Sequence, residues 1–217
     1  VLKYSLDGRK RYRPLLVLAS YKSCSGENTK RVIPIACSIE YVHTASLLLD
    51  DLPCMDNSPT RRNKPSVYSK YGEARAILAG IHILNLAYNL LSQQEQGKKL
   101  TEILSCAVEK TIVGQLIDLK LDQAENGLQK TYPLFSVSSR TGGLIAGVND
   151  ECQIPLENIG TEIGRAFQFI DDYEESNNPD LKNEIAKHIS NAKLILPSFS
   201  RPRFLEDYIS KLEERIK

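Results

Sequence analysis

Residues 46–65 read "SLLLDDLPCMDNSPTRRNKP". An apolar run ends in Asp50 and Asp51, the chain passes Pro53 to Asp56, and Arg61 and Arg62 follow. Upstream, "EYVHTASLLL" (40–49) continues the same apolar spacing at threes and fours, so the stretch is the end of a buried helix. Acidic side chains there oppose the helix macrodipole, which disfavours negative charge at a C-terminus. Three carboxylates so close also repel one another, and such a local cost points to a cation. All-oxygen ligation favours Mg²⁺, which keeps several waters and bridges carboxylates to phosphate oxygens. The competing reading is a solvated acidic loop, and this motif alone does not choose between them.

Outward from that stretch, helical periodicity governs the chain. Segments 11–24, 30–51, 66–93, 98–125, 129–147, 155–175, 180–196 and 201–216 each carry apolar residues at helical spacing. The breaks "CSGENT", "NSPTRRNKP", "QQEQGKK", "VNDECQIP" and "SNNP" are turn chemistry. No stretch alternates at period two, and several helices are apolar nearly all round. The expected fold is therefore an all-α antiparallel bundle around a deep central cavity, in one domain over 1–217. In "ARAILAGIHILNLAYNLL" (74–91), Ile77, Ile81, Leu84 and Tyr88 form one stripe, while Ala76, Ala79, Gly80 and Ala87 permit close helix approach. That stripe is either core or a subunit interface.

Composition excludes several classes. Lys+Arg of 28 against Asp+Glu of 27 gives a net charge of +1, which argues against nucleic-acid binding by bulk electrostatics. Anion recognition must come from local clusters. Cys24, Cys37, Cys54, Cys106 and Cys152 form no C-x-x-C pair and have no His partner at zinc spacing, so they read as reduced, mostly packed thiols of a cytoplasmic protein. No uninterrupted apolar run reaches the roughly 18 residues of a membrane span, and no signal-peptide pattern opens the chain.

A second acidic helix end strengthens the cation reading. In "RAFQFIDDYEES" (165–176), Asp171, Asp172 and Glu175 close another apolar run, with Asp171 and Glu175 on one helical face. Two such helices facing each other in a bundle build a metal site between them. Basic groups complement them: Arg9, Lys10, Arg11 and Arg13 in "GRKRYRP" (8–14), then Arg61, Arg62 and Lys130. Arginine holds phosphate bidentately and lysine as a movable charge. Separate acidic and basic sets fit two diphosphates, one held through metal and one directly.

These stations, in this order, resemble the trans-isoprenyl diphosphate synthases of the short-chain farnesyl/geranylgeranyl type. "GRKRYRP" is similar to that family's GGKRxRP. "EYVHTASLLLDDLPCMDN…RRNKP" is similar to its first aspartate-rich region, and "YGEARAILAG", "GQLIDL", "KT" at 130–131 and "AFQFIDD" follow in register. The resemblance spans residues 8–172. It implies head-to-tail condensation of an allylic diphosphate with isopentenyl diphosphate by a homodimer. It further implies Mg²⁺ on Asp50, Asp56, Asp171 and Glu175, with Asp51 and Asp172 in support. Arg61, Lys130 and Thr131 would take the allylic diphosphate, and Gln168 would add a polar contact. Lys10, Arg13, His43, Arg62 and the Gly8 backbone would hold isopentenyl diphosphate. His43 is otherwise a core histidine, and His82 and His188 are left as structural. Gln115 and Asp118 are either a structural hydrogen-bonding pair or part of the lining, and Cys54 and Met55 are spacers. Ala45 and Ser46 stand where a bulky aromatic limits chain length, so geranylgeranyl diphosphate is expected over farnesyl diphosphate. Two other readings are a non-catalytic synthase subunit and a terpene cyclase of the same architecture.

The chain departs from the pattern in places. "GRK" replaces GGK, Leu49 stands where histidine is common, and "NSPT" replaces an acidic stretch. Tyr132 stands where glycine is usual. After "DDYEESNN" the lysine-bearing segment of the family is absent, as is its first helix before "VLKYSLDGRK". Both are expected in the intact protein.

Overall fold

A computed structural model describes residues 1–7, 10–121, 127–149 and 153–216, of which 118, 120, 121 and 127–129 are described in backbone only. The helices in chain order are α1 (Leu2–Leu6), α2 (Tyr12–Ser23), α3 (Ile33–Asp50), α4 (Val67–Tyr71), α5 (Glu73–Ser92) and α6 (Gly97–Leu121). They continue with α7 (Gly127–Ile145), α8 (Ile154–Ser176), α9 (Leu181–Ile195) and α10 (Arg203–Glu213). The all-α bundle is as expected. Proline sets several starts: Pro34 and Pro155 sit in the first turns of α3 and α8, where a missing N–H costs nothing. The segment expected over 66–93 is two helices, because Gly72 takes φ +90° between α4 and α5. α1 was not expected; it is short and carries little apolar periodicity.

Two cores share the central helices α2 and α7. One gathers α2, α3, α5, α6 and α7 around Val17, Ile39, Leu104 and Leu134. The other gathers α2, α7, α8, α9 and α10 around Leu16, Phe135, Ile163 and Leu205. Neighbouring residues of one helix thus serve opposite cores. A third cluster joins the ends of α3 and α5 through Ala45, Leu48, Ala76 and Ile83. The small face of α5 is buried as its composition implies, with Gly80 set against Ala45 and Leu49. The other face is open: Ile77, Leu78 and Ile81 are 38%, 66% and 55% exposed.

Close contact between α7 and α8 fixes the later part of the site. A Cβ on Gly164 would stand 2.7 Å from Tyr132 Cα, and one on Gly160 would stand 2.7 Å from the Phe135 carbonyl oxygen. One turn beyond Gly164, Gln168 meets Thr131 across the same seam. Gly164→Ala should therefore force the two backbones apart, costing about 1–3 kcal/mol. A thermal melt should show a loss of several degrees; an unchanged melting temperature would mean that the seam yields freely.

A strand pair was not expected. Thr60–Arg61 and Lys64–Pro65 form an antiparallel hairpin, with Thr60 opposite Pro65 and Arg61 opposite Lys64. Arg62 (φ 55°) and Asn63 (φ 60°) occupy the left-handed turn positions that suit a tight hairpin. Two segments, Thr29–Asp50 and Glu73–Ser92, are long and apolar enough on average to cross a membrane, although charged residues interrupt both. The most apolar part of the first is mostly buried in the bundle, whereas that of the second is only 33% buried. Among the described cysteines none is paired, and Cys54 and Cys106 are exposed rather than packed. Cys152 lies outside the described residues. Between α8 and α9 the chain turns through Asn177–Asp180, closed by the Asp180 N–H donating to Asn178 Oδ1 at 3.0 Å.

Candidate active site

The first acidic set is assembled by the end of α3. The Asp56 N–H donates to the Asp50 carbonyl at 2.9 Å, and the Ser58 N–H donates to that of Asp51 at 3.1 Å. This closure folds the "DDLPCMD" loop back over the helix terminus, so the six-residue spacing brings Asp50 and Asp56 within electrostatic reach. Burial pushes the Asp50 carboxyl up to about 6, with Asp56 and Asp51 adding to the rise while Lys130 and Arg61 oppose it. Asp51 is different. It is buried and accepts two hydrogen bonds from Arg61, one from Nε at 2.8 Å and a second from Nη2. Asp51 thus anchors the hairpin to the helix end and stands behind Asp50.

The hairpin turn separates the two adjacent arginines. Arg61 is committed to Asp51, while the left-handed backbone at Arg62 turns that residue elsewhere. Partial burial lowers the Arg62 guanidinium, while Glu40 and Asp171 offset this and Arg61 and Arg11 add to it. Glu40 organises this basic set. It is buried, and Arg11 Nη1 donates to its Oε1 at 3.1 Å. It also lies within reach of Arg13, whose burial lowers its guanidinium to about 10. Arg13 lies over the Phe135 ring at 4.5 Å, and its buried Nε has no hydrogen-bond partner among the described residues. Lys10 is exposed and lies within reach of Glu174. Gly8 and Arg9 lie outside the described residues.

The second acidic set closes α8. Burial raises Asp171, opposed first by its hydrogen bond from Arg215 and also by Arg13. Burial likewise raises Asp172, opposed by the hydrogen bond from Gln168. Gln168 is a bridge. Its Nε2 donates to Asp172 Oδ1 at 2.8 Å and its Oε1 accepts from Thr131 Oγ1 at 2.6 Å. Beside Thr131, Lys130 Nζ donates to Gln115 Oε1 at 3.0 Å, so Gln115 positions that lysine. The side chain of Asp118 lies outside those described. Glu175 is exposed. Glu174, which the spacing rule passed over, meets Asp171 on a shared Arg215.

A cavity of about 380 Å³ opens beside the first acidic set, and no residue of the second set lines it. Asp50, Arg13, His43, Lys130 and Thr131 line it, together with Ala45, Ser46, Leu49, Leu84, Ile112 and Leu116. His43 is on the same face of α3 as Asp50, two turns earlier, so it faces the cavity rather than a core. His188 is buried and structural: its Nδ1 lies 2.8 Å from Glu162 Oε2 and its ring stacks on Phe169. No group of three or more His, Cys, Asp or Glu side chains forms a closed metal cage among the described residues. Mg²⁺ needs less, since one or two carboxylates plus phosphate oxygens and retained waters suffice. Hard oxygen donors on Asp50, held where burial disfavours their charge, fit such an ion.

A family model described as polyprenyl synthetase matches residues 1–194. Geranylgeranyl diphosphate synthase of Cyanophora paradoxa is 34% identical over 91% of this chain and 72% of its own length. Geranylgeranyl pyrophosphate synthase 4 of Arabidopsis thaliana is 33% identical over 96% of this chain and 61% of its own. The chain thus spans roughly three fifths to three quarters of these relatives. Among solved structures, an FPP/GFPP synthase from Zymomonas mobilis superposes with a TM-score of 0.88 at 25% identity, covering 97% of this chain and 88% of that one. The match runs unbroken from α1 into α9 and takes in both acidic helix ends, so this chain belongs to the polyprenyl synthetase family.

Proposed function

We propose that this protein is a Mg²⁺-dependent trans-prenyltransferase. It condenses an allylic diphosphate with isopentenyl diphosphate to a longer all-trans prenyl diphosphate, of geranylgeranyl length in preference to farnesyl. The observation that carries this reading is the placement of Asp50 and Lys130 on the wall of a mainly apolar cavity. A carboxylate and an ammonium group there suit a metal-bridged diphosphate, and the cavity suits the hydrocarbon tail behind it. The names of the relatives support the reaction class, with geranylgeranyl and farnesyl diphosphate synthases both among them.

Asp50 and Asp56, together with Asp171 and Glu175 of the second set, would hold the magnesium ions. Bound magnesium supplies positive charge to the allylic diphosphate as its C–O bond breaks. Asp51 keeps the first set in place through Arg61, and Gln168 keeps Asp172 and Thr131 in register. Lys130 neutralises phosphate oxygens from the cavity wall. Arg13, Arg62, Lys10 and His43 receive isopentenyl diphosphate, with the negative charge of Glu40 supporting both arginines. The apolar wall excludes water from the developing allylic cation. Purified protein supplied with Mg²⁺, isopentenyl diphosphate and an allylic diphosphate should release pyrophosphate and a longer prenyl diphosphate. No product under any divalent-cation condition would leave a non-catalytic subunit as the better reading.

The working unit in this reading is a homodimer. Ile77, Leu78 and Ile81 of α5 and Ile112, Val113, Leu116 and Leu119 of α6 are all at least 38% exposed, which supports a second copy against that face. Sedimentation at micromolar concentration should give twice the chain mass.

Chain length follows from α3. Ala45 lies five residues before Asp50, about 7.5 Å back along the helix axis. It lines the cavity with Ser46, and neither side chain obstructs it. Ala45→Phe should shorten the main product to farnesyl diphosphate while sparing the first condensation. Chromatography of the products checks this; an unchanged ratio would place the floor elsewhere.

A further inference from the structure

Arg215 stands outside every motif discussed above, yet it is the most heavily committed cation among the described residues. It lies in the turn Glu214–Ile216 that follows α10. Its Nη2 donates to Asp171 Oδ1 at 2.5 Å and to Glu174 Oε2 at 2.7 Å, while Nε donates to Glu174 Oε1 at 2.8 Å. The side chain is only 9% exposed. Its guanidinium lies 5.0 Å from the Phe167 ring centre and 5.4 Å from that of Tyr12. Burial opposes its charge, but Glu174 and Asp171 more than offset this and raise it above the ordinary arginine value. The fit has one defect: Nη1 is buried with no hydrogen-bond partner among the described residues.

We propose that Arg215 is a built-in competitor for the second acidic set, so that seating of the Glu214–Ile216 turn and divalent-cation binding at Asp171 oppose each other. The proposal rests on Asp171 being a metal ligand, as read above. Asp171 Oδ1 already shares its electron density with Arg215, so it is a poorer donor to a metal while the guanidinium is seated. A guanidinium and a divalent ion side by side would also repel each other. Metal entry therefore favours displacement of the guanidinium, and the orphaned Nη1 makes the seated position less than fully satisfied. The displacement can be local. α10 itself is held by Leu205, Ile209 and Leu212 in the core and by Tyr208, whose hydroxyl donates to the Tyr12 carbonyl at 3.0 Å. Only the last turn, with Ile216 at the edge of the core, has to move. Coupling of this kind is reciprocal: whatever metal loses by expelling the arginine, the arginine loses by metal binding.

Two measurements test this. In calorimetric titration with Mg²⁺ in the presence of inorganic pyrophosphate, Arg215→Gln should bind Mg²⁺ about tenfold more tightly than wild type. Arg215→Lys, which keeps the charge but loses the fork, should fall between them. In wild type, where no variant has to fold, hydrogen exchange over 214–216 should quicken when Mg²⁺ is added and α10 should stay protected. Equal or weaker Mg²⁺ binding in Arg215→Gln, or exchange unmoved by bound Mg²⁺, would overturn the competition and leave the metal assignment standing. Quickening by pyrophosphate alone would also overturn it, because Arg215 would then be an anion ligand. Absence of Mg²⁺ binding to all three proteins would remove the metal assignment and the competition together.

Discussion

Asp50→Ala lowers turnover by roughly 10³-fold or more, because preorganised charge at the reacting diphosphate is typically the largest catalytic contribution. The same substitution leaves the fold at least as stable. Asp50 ends α3, where the helix dipole disfavours an acid, and burial already holds its carboxyl up at about 6. Asp50→Ala removes that strained charge and keeps the Asp56 N–H to residue 50 carbonyl bond that closes the loop. Loss of activity with an unchanged or raised melting temperature is thus the expected pair of results. Near-wild-type turnover in controlled excess Mg²⁺ would remove Asp50 from the metal site. A lowered melting temperature would mean that Asp50 is structural.

What was legible in the sequence was what depends on period. Apolar spacing located the long helices to within a few residues, because burying one face of a helix leaves a pattern at threes and fours. The acidic helix ends were equally visible, since carboxylates at a C-terminus contradict local preference. Period could not say what covers a face: Ile77 and Ile81 look like core in one dimension, and they are exposed. Nor could it find the hairpin, where Thr60–Pro65 has no alternating apolar pattern and is set by two left-handed residues. The choice of Glu175 over Glu174 came from same-face spacing. Arg215, which reaches Asp171 across 44 positions, brings Glu174 beside Asp171, while Glu175 is exposed. No local signal in the sequence announces such a contact.

Glu40 is the other position where sequence and structure part, and it carries the largest expected effect on stability. In the sequence it is one acid three residues before His43. In the fold it is 3% exposed, bonded to Arg11 and within reach of Arg13 and Arg62. Arg13 is itself buried against Phe135, so its charge depends on that carboxylate more than on water. Glu40→Ala unpairs the half-exposed Arg11 and leaves the buried Arg13 with Asp171 as its remaining nearby carboxylate, a change that costs about 3 kcal/mol, the low end for a buried pair. For a chain of this size the melting temperature should fall by about 10 °C. Glu40→Gln keeps the shape and one acceptor and should lose less. Glu95→Ala breaks an exposed pair with Arg31 and should cost under about 0.5 kcal/mol. In turnover assays below the melting transition, Glu40→Gln should raise the KM for isopentenyl diphosphate more than that for the allylic substrate, since Arg13 and Arg62 lose their common anchor. Denaturant titration of the three variants orders them. If Glu40→Ala behaves like Glu95→Ala, the basic set is held by its aromatic contacts, and the carboxylate is not what holds it.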